Sequence, residues 1–149
     1  HFFQENWDDA LFYYEKAKKG ATELKNLQGI SIADNNIANI YQKKGDFKQA
    51  IDGYMRCLIL QDHLKDSATI SNSYFNLGTC YEELNQQEKS RSYLEKALDV
   101  SKAIGDVEIM SLSMIHLGKN ALEQNGMHFT RKLAERPCLF LYPARLFCF

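Results

Sequence analysis

Residues of the same type recur along this chain at a spacing of 40 residues. Matching residues are found at three sets of positions: Ile37-Ala38, Leu77-Gly78 and Leu117-Gly118; Tyr14, Tyr54 and Leu94; and Ala17, Cys57 and Ala97. A fixed period in this range is typical of stacked supersecondary units rather than of one globular core. Because each unit leaves an apolar face that only its neighbour covers, the sequence predicts a solenoid.

The apolar residues within each unit follow the period of an α-helix. In the segment 30–44, Ile30, Ala33, Ile37 and Ile40 recur at steps of three and four residues, which places them on one helical stripe. Both prolines of the chain lie near the C-terminus, so little interrupts long helices before that point. We therefore predict an all-α fold of antiparallel helix pairs.

Short breaks separate the predicted helices. Glycine and asparagine readily take the left-handed conformation that ends a helix, and aspartate accepts hydrogen bonds from the amides that open the next one. Such residues occur at Gly45-Asp46, Asp66-Ser67, Asn85, Gly105-Asp106 and Asn125-Gly126. They predict helices over residues 7–26, 30–44, 70–84, 87–104 and 109–124, with a further helix after Asp46.

These positions resemble the tetratricopeptide repeat (TPR), in which a large residue, a Leu-Gly pair and a tyrosine precede an alanine and an aromatic residue. The copies are Asp34-x2-Ile37-Ala38-x2-Tyr41 with Ala50-x3-Tyr54, Tyr74-x2-Leu77-Gly78-x2-Tyr81 with Ser90-x3-Leu94, and Met114-x2-Leu117-Gly118-x2-Ala121. The resemblance covers residues 1–126 and implies a right-handed superhelical solenoid. The longer period resembles the repeats of kinesin light chains, Pins-type adaptors, and bacterial sensor kinases and peptide-controlled regulators.

On this register we expect two complete repeats, at residues 30–69 and 70–108. Residues 1–29 form a partial first repeat, and residues 109–136 a partial or degenerate one. The apolar tail at 137–149 either caps the last helix pair, is poorly ordered, or contacts the groove or a membrane surface. The alternative fold is a HEAT or armadillo array, whose period is about 40–47 residues, but those arrays do not share the Leu-Gly-x2-Tyr phase.

The resemblance implies that the first helix of each repeat lines a concave groove that binds a protein or peptide. The groove-facing candidates are Asn35, Asn36, Asn39, Lys43, Asn72, Phe75, Asn76, Thr79, Ile115, His116 and Lys119. Asparagine carries both a donor and an acceptor, so it can pair with a peptide backbone of any sequence. We expect Asn36 and Asn76 to hold the main chain of the ligand. Alternatively, the asparagines are solvated or bond to an adjacent helix.

Other classes of function find little support in the sequence. The net charge of −1 argues against general nucleic-acid binding, which needs a basic face. No phosphate loop, zinc motif or nucleophile elbow is present, so we expect no enzyme, cofactor or metal. Cys80 is expected to fill the core rather than to pair with His116 as a nucleophile, and Glu82-Glu83 to form a solvated helix edge. No apolar run is long enough to span a membrane.

These features predict a protein- or peptide-binding scaffold, such as the sensor or adaptor region of a larger signalling protein. The alternative is a structural segment that assembles with itself, with its groove or last repeat covered by its own tail, or as a homodimer through the apolar C-terminus. The four cysteines show no metal-ligand spacing and no disulfide framework, which favours a reducing, cytoplasmic location. Since the chain begins with His1 inside a repeat, we expect it to be a piece of a longer protein.

Overall fold

The computed structural model describes residues 2–134, and within them the side chains of residues 7–61 and 63–126. These residues form the helices α1 (Phe2–Glu23), α2 (Leu27–Lys43), α3 (Phe47–Leu64), α4 (Ser67–Glu83), α5 (Gln87–Ile104) and α6 (Val107–Ala134). The described residues contain no strand, and each of the first four helices packs on the next one in the chain. The predicted all-α repeat fold is therefore confirmed.

The chain divides into two compact units, of which the first ends at Leu117 and the second begins at Gly118. Helices α1 to α5 lie in the first unit, and α6 begins in it. The predicted tail at 137–149 lies outside the described residues.

The ends of the helices follow the predicted chemistry. Positive φ angles occur at Gly45 (80°), Asn85 (55°) and Gly105 (74°), which is the left-handed conformation expected there. Helices α3, α4 and α6 are capped by aspartates, each of which accepts a hydrogen bond from the backbone N–H three residues later: Asp46, Asp66 and Asp106. Helix α5 begins after Gln86, which makes no side-chain cap. Helices α2 and α4 begin three residues earlier than predicted, because Asn26 and Asp66 cap them.

The break predicted at Asn125-Gly126 is wrong, because α6 continues through both residues. Gly45 and Gly105 are each followed by an aspartate that caps a new helix, whereas Gly126 is followed by methionine. A glycine inside a helix costs only about 1 kcal/mol relative to alanine. Without a capping residue after it, that cost does not end the helix.

Small residues allow close contacts between the helices of a pair. A Cβ atom placed at Gly78 would lie 2.6 Å from Cγ of Leu94, and one placed at Gly53 would lie 2.7 Å from Cβ of Ala38. Tyr54 is fully buried beside these contacts. The third copy differs, since a Cβ at Gly118 would meet no described heavy atom within 4 Å.

A buried carboxylate links the first three helices. Asp34 of α2 is 1% exposed, and its Oδ1 lies 2.9 Å from Nζ of Lys18 on α1 and 3.2 Å from Nε of Arg56 on α3. The matching positions of the next repeat hold Tyr74 and Lys96, whose ammonium lies 5.8 Å from the centroid of the tyrosine ring. The same pair of positions is therefore joined by an ion pair in one repeat and by a cation–π contact in the next.

Candidate functional site

Most of the predicted groove residues lie on α2 and α4. Helix α2 carries Asn35, Asn36, Asn39 and Lys43, and α4 carries Asn72, Phe75, Asn76 and Thr79. Ile115 and His116 lie on α6 within the first unit, whereas Lys119 lies on α6 after that unit ends. Among these residues, direct hydrogen bonds join Asn76 to Asn39 and to Asn72.

These hydrogen bonds connect the first helices of consecutive repeats. Nδ2 of Asn76 donates to Oδ1 of Asn72 at 3.1 Å and to Oδ1 of Asn39 at 3.5 Å. Nε2 of Gln42 donates to Oγ1 of Thr79 at 2.9 Å. We call these residues the amide face: Asn39, Gln42, Asn72, Asn76 and Thr79. It forms one connected polar surface across α2 and α4.

Tyr54 of α3 supports the amide face from the core side. Its hydroxyl lies 2.6 Å from Oδ1 of Asn39 and 2.7 Å from Oε1 of Gln42, so its one hydrogen is shared between two amide oxygens. Burial raises the pKa of Tyr54 above its ordinary value, with a smaller effect from Cys80, so the hydroxyl stays a neutral donor. From the sequence, Tyr54 was predicted only as a core residue. The matching residue of the next repeat is Leu94, which has no hydroxyl.

The neighbouring asparagines of α2 keep more of their hydrogen-bonding capacity. Asn36 is half-buried and makes no side-chain hydrogen bond with the described residues. Oδ1 of Asn35 is shielded from solvent and also has no partner among them. The alternative in which the asparagines bond to an adjacent helix therefore applies to Asn39 and Asn76 but not to Asn36.

An apolar surface continues from α4 to the start of α6. The rings of Phe75 and His116 meet edge to face, with centroids 5.5 Å apart, and the side chain of Ile115 is 66% exposed. Nδ1 of His116 lies 2.7 Å from Oε2 of Glu82. The expectation that Glu82 belongs to a solvated edge is wrong, because this contact to the next repeat leaves it 7% exposed, whereas Glu83 is exposed.

Lys43 is engaged at the other end of α2. Its ammonium lies 5.5 Å from the centroid of the Trp7 ring on α1. The next residue, Lys44, pairs with Asp8 at 2.8 Å. Both contacts hold the C-terminal end of α2 against α1. The ammonium of Lys43 would therefore already be in contact with an aromatic ring when a ligand binds.

Cys80 lies in the core and not beside a nucleophile partner. It is fully buried, and burial raises its pKa to about 12, with a further contribution from Glu83. Cys57 is equally buried, and burial followed by the charge of Asp34 raises its pKa to about 12 as well. His116 is instead bonded to Glu82.

We therefore expect neither thiol to be alkylated in the folded protein, because the thiolate is the reactive form and is scarce far below the pKa. Iodoacetamide at about pH 8, followed by peptide mapping, should leave Cys57 and Cys80 unmodified until urea is added. Alkylation of Cys80 under native conditions would contradict its assignment to the core.

The described part of the chain contains no group of three or more histidine, cysteine, aspartate or glutamate side chains that could hold a metal ion. None of the described helices combines the length and apolar character needed to cross a membrane.

Several known proteins are similar to this chain in sequence. Curated relatives include lipopolysaccharide assembly protein B of Escherichia coli K12, 24% identical over 84% of this chain, and outer dynein arm-docking complex subunit 4 of Danio rerio, 26% identical over 90%. The chain spans only 30% and 28% of their lengths.

Two solved structures share the fold. The apo form of RapI superimposes with a TM-score of 0.75 at 17% identity, over 84% of this chain and 35% of RapI. BtubC (BKLC) from P. vanneervenii gives 0.70 at 22% identity, over 97% of this chain and 63% of that one. The profile of the tetratricopeptide repeat matches residues 29–103, half of the chain. The chain belongs to the tetratricopeptide repeat family, whose arrays serve as scaffolds for protein interactions.

Proposed function

We propose that this chain binds a peptide segment of a partner protein along α2, α4 and the start of α6. The observation that carries the proposal is the amide face, in which side chains of two consecutive repeats are bonded into one surface held from behind by Tyr54. Groups that are already ordered lose little conformational entropy when a ligand arrives. The amide face is therefore suited to hold the main chain of an extended peptide.

Asn36 and Asn76 are the side chains that we expect to contact the ligand backbone. Both N–H groups of Asn76 are engaged, which leaves its carbonyl oxygen to accept a hydrogen bond from a peptide N–H. Asn36 contributes a complete amide. Phe75 and Ile115 would receive apolar side chains of the peptide, and Lys43, Asn35 and His116 would border it.

We also propose the kind of protein to which this scaffold belongs and its location in the cell. The names of the curated relatives refer to assembly and docking, which supports a scaffold without catalytic activity. The spacing of 40 residues supports a sensor or adaptor region of a signalling protein, with repeats at 30–69 and 70–108. Free thiols at Cys57 and Cys80 support a cytoplasmic location.

Selection of a random peptide library displayed on phage, followed by fluorescence polarisation with the selected peptides, tests the proposal. Replacing both Asn36 and Asn76 with alanine should weaken binding by about tenfold or more, because two hydrogen bonds to the ligand are each worth about 1 kcal/mol. Circular dichroism checks that the double variant stays folded.

The matched control is Gln49→Ala, which removes an exposed amide from α3, outside the amide face. It should leave the dissociation constant unchanged. Equal affinities for the wild type and the double asparagine variant would contradict the site. A library that yields no binder would contradict peptide binding itself.

A further inference from the structure

A second concave feature lies where the turns of two consecutive repeats meet. It is a cavity of about 470 Å³, bordered by the α2–α3 turn with the start of α3, and by the end of α4 with the start of α5. This volume falls in the range of about 300–1,000 Å³ that is usual for ligand sites. The cavity shares no residue with the amide face, so a ligand here would not compete for the same side chains.

The floor of the cavity is apolar and firmly supported. Phe47, Ile51 and Tyr81 line it, and all three pack against the buried core cluster. Leu84 completes the floor and is 38% exposed. An aromatic ring placed here would cover Leu84 and meet the edge of Tyr81, because the Tyr81 ring is stacked on Tyr93 and also carries the ammonium of Lys89 over it.

The mouth of the cavity carries cations from two different repeats. The ammonium of Lys89 lies 5.2 Å from the centroid of the Tyr81 ring, and Lys48 is exposed at the opposite side of the lining. Neither lysine forms an ion pair with the described residues. Asp46, which caps α3, and Asp52 also line the cavity, so the lining carries two carboxylates as well as two ammonium groups.

We propose that this cavity is a second binding site, which takes an aromatic side chain of a partner peptide together with the carboxylate of the next residue. The ring would lie on Leu84, beside the edge of Tyr81. The carboxylate would then lie beside the ammonium of Lys89, where the attraction is helped by the partly apolar surroundings. A peptide is the occupant that fits a family of protein-interaction scaffolds, and the volume of about 470 Å³ is sufficient for one large side chain.

Two blocked tetrapeptides that differ in one group test the proposal, Gly-Trp-Glu-Gly and Gly-Trp-Gln-Gly. They are titrated into isotope-labelled protein and followed by NMR. We expect the amide signals of Gly45, Leu84 and Gln86 to shift, and the glutamate peptide to bind about fivefold more tightly than the glutamine one, which is what about 1 kcal/mol provides. The peptide Gly-Ala-Glu-Gly, without the ring, should not bind.

Two substitutions that change the charge of the cavity lining should have opposite effects on the preference for the glutamate peptide. Lys89→Gln should remove the preference for the glutamate peptide, whereas Asp52→Asn should increase it. Lys96→Gln is the matched control, since Lys96 also lies over a tyrosine ring, 5.1 Å from the centroid of Tyr93, but does not line the cavity. It should change nothing.

Three outcomes would overturn the proposal. They are equal binding of the two tryptophan peptides, equal effects of Lys89→Gln and Lys96→Gln, and shifts confined to residues outside the cavity. The double variant Asn36→Ala/Asn76→Ala should bind the glutamate peptide as the wild type does, so the test is independent of the amide face.

Discussion

Gly78→Leu is expected to lower the free energy of unfolding by about 1–3 kcal/mol or more, because the contact has no room for a side chain. A Cβ at Gly78 would lie 2.6 Å from Cγ and 2.8 Å from Cδ2 of Leu94, and 3.3 Å from its backbone nitrogen. Leu94 is itself fully buried, so it cannot turn away into solvent. Urea denaturation measures the change.

Replacing Gly78 with alanine tests the same contact with a single added methyl group. In an exposed helix, replacing glycine with alanine stabilises by about 1 kcal/mol. Gly20→Ala in α1 should show that gain, since a Cβ there meets nothing within 4 Å. Gly78→Ala should be destabilising despite its better helix propensity. A stabilised Gly78→Ala variant would contradict the close packing of α4 on α5.

The second large effect is expected from the double variant Lys18→Met/Arg56→Met, which should lose about 3 kcal/mol of stability at neutral pH. It leaves the carboxylate of Asp34, whose side chain is 2% exposed, without either of its cations. Methionine retains much of the volume of both side chains, so the loss should come from the unpaired charge. Thermal and urea unfolding measure it.

Two further variants separate charge from packing. Adding Asp34→Leu to the double variant should recover most of the loss, since an apolar residue needs no counter-charge there. Lys44→Met removes an ion pair to Asp8, which is 74% exposed, and should cost less than about 1 kcal/mol. If Asp34→Leu recovers nothing, the cations stabilise the fold through their aliphatic stems instead.

The sequence was sufficient for features that depend on neighbouring residues. The breaks at Gly45 and Gly105 were predictable because a left-handed residue followed by a capping aspartate acts within a few positions. Asn125 and Gly126 resemble such a break in composition, but nothing after them caps a new helix. The prediction there failed because it counted the residue that ends a helix and not the one that begins the next.

Features that depend on contacts between repeats were less accessible. The family register placed Asn39 among the groove-facing candidates, and in the structure its Oδ1 accepts a hydrogen bond from Asn76 of α4. The register could not predict that Tyr54 donates to the amide oxygens of α2, because a tyrosine at this position can fill the core without a polar partner. The ion pairs of Asp34 could not be predicted for a similar reason, because Lys18 and Arg56 lie 16 and 22 residues away on other helices.

The close contact of Gly53 with Ala38 also bears on how the chain avoids pairing its helices wrongly while it folds. The residue that matches Gly53 in the next repeat is Tyr93, and the one that matches Ala38 is Gly78. If α2 met α5 in place of α3, the methyl group of Ala38 would collide with the stem of Tyr93, since even a bare Cβ at Gly53 would lie 2.7 Å from that methyl. The methyl group of Ala38 thus disfavours pairing of α2 with α5, whereas α4, which has Gly78 at that position, meets no such obstacle in α3.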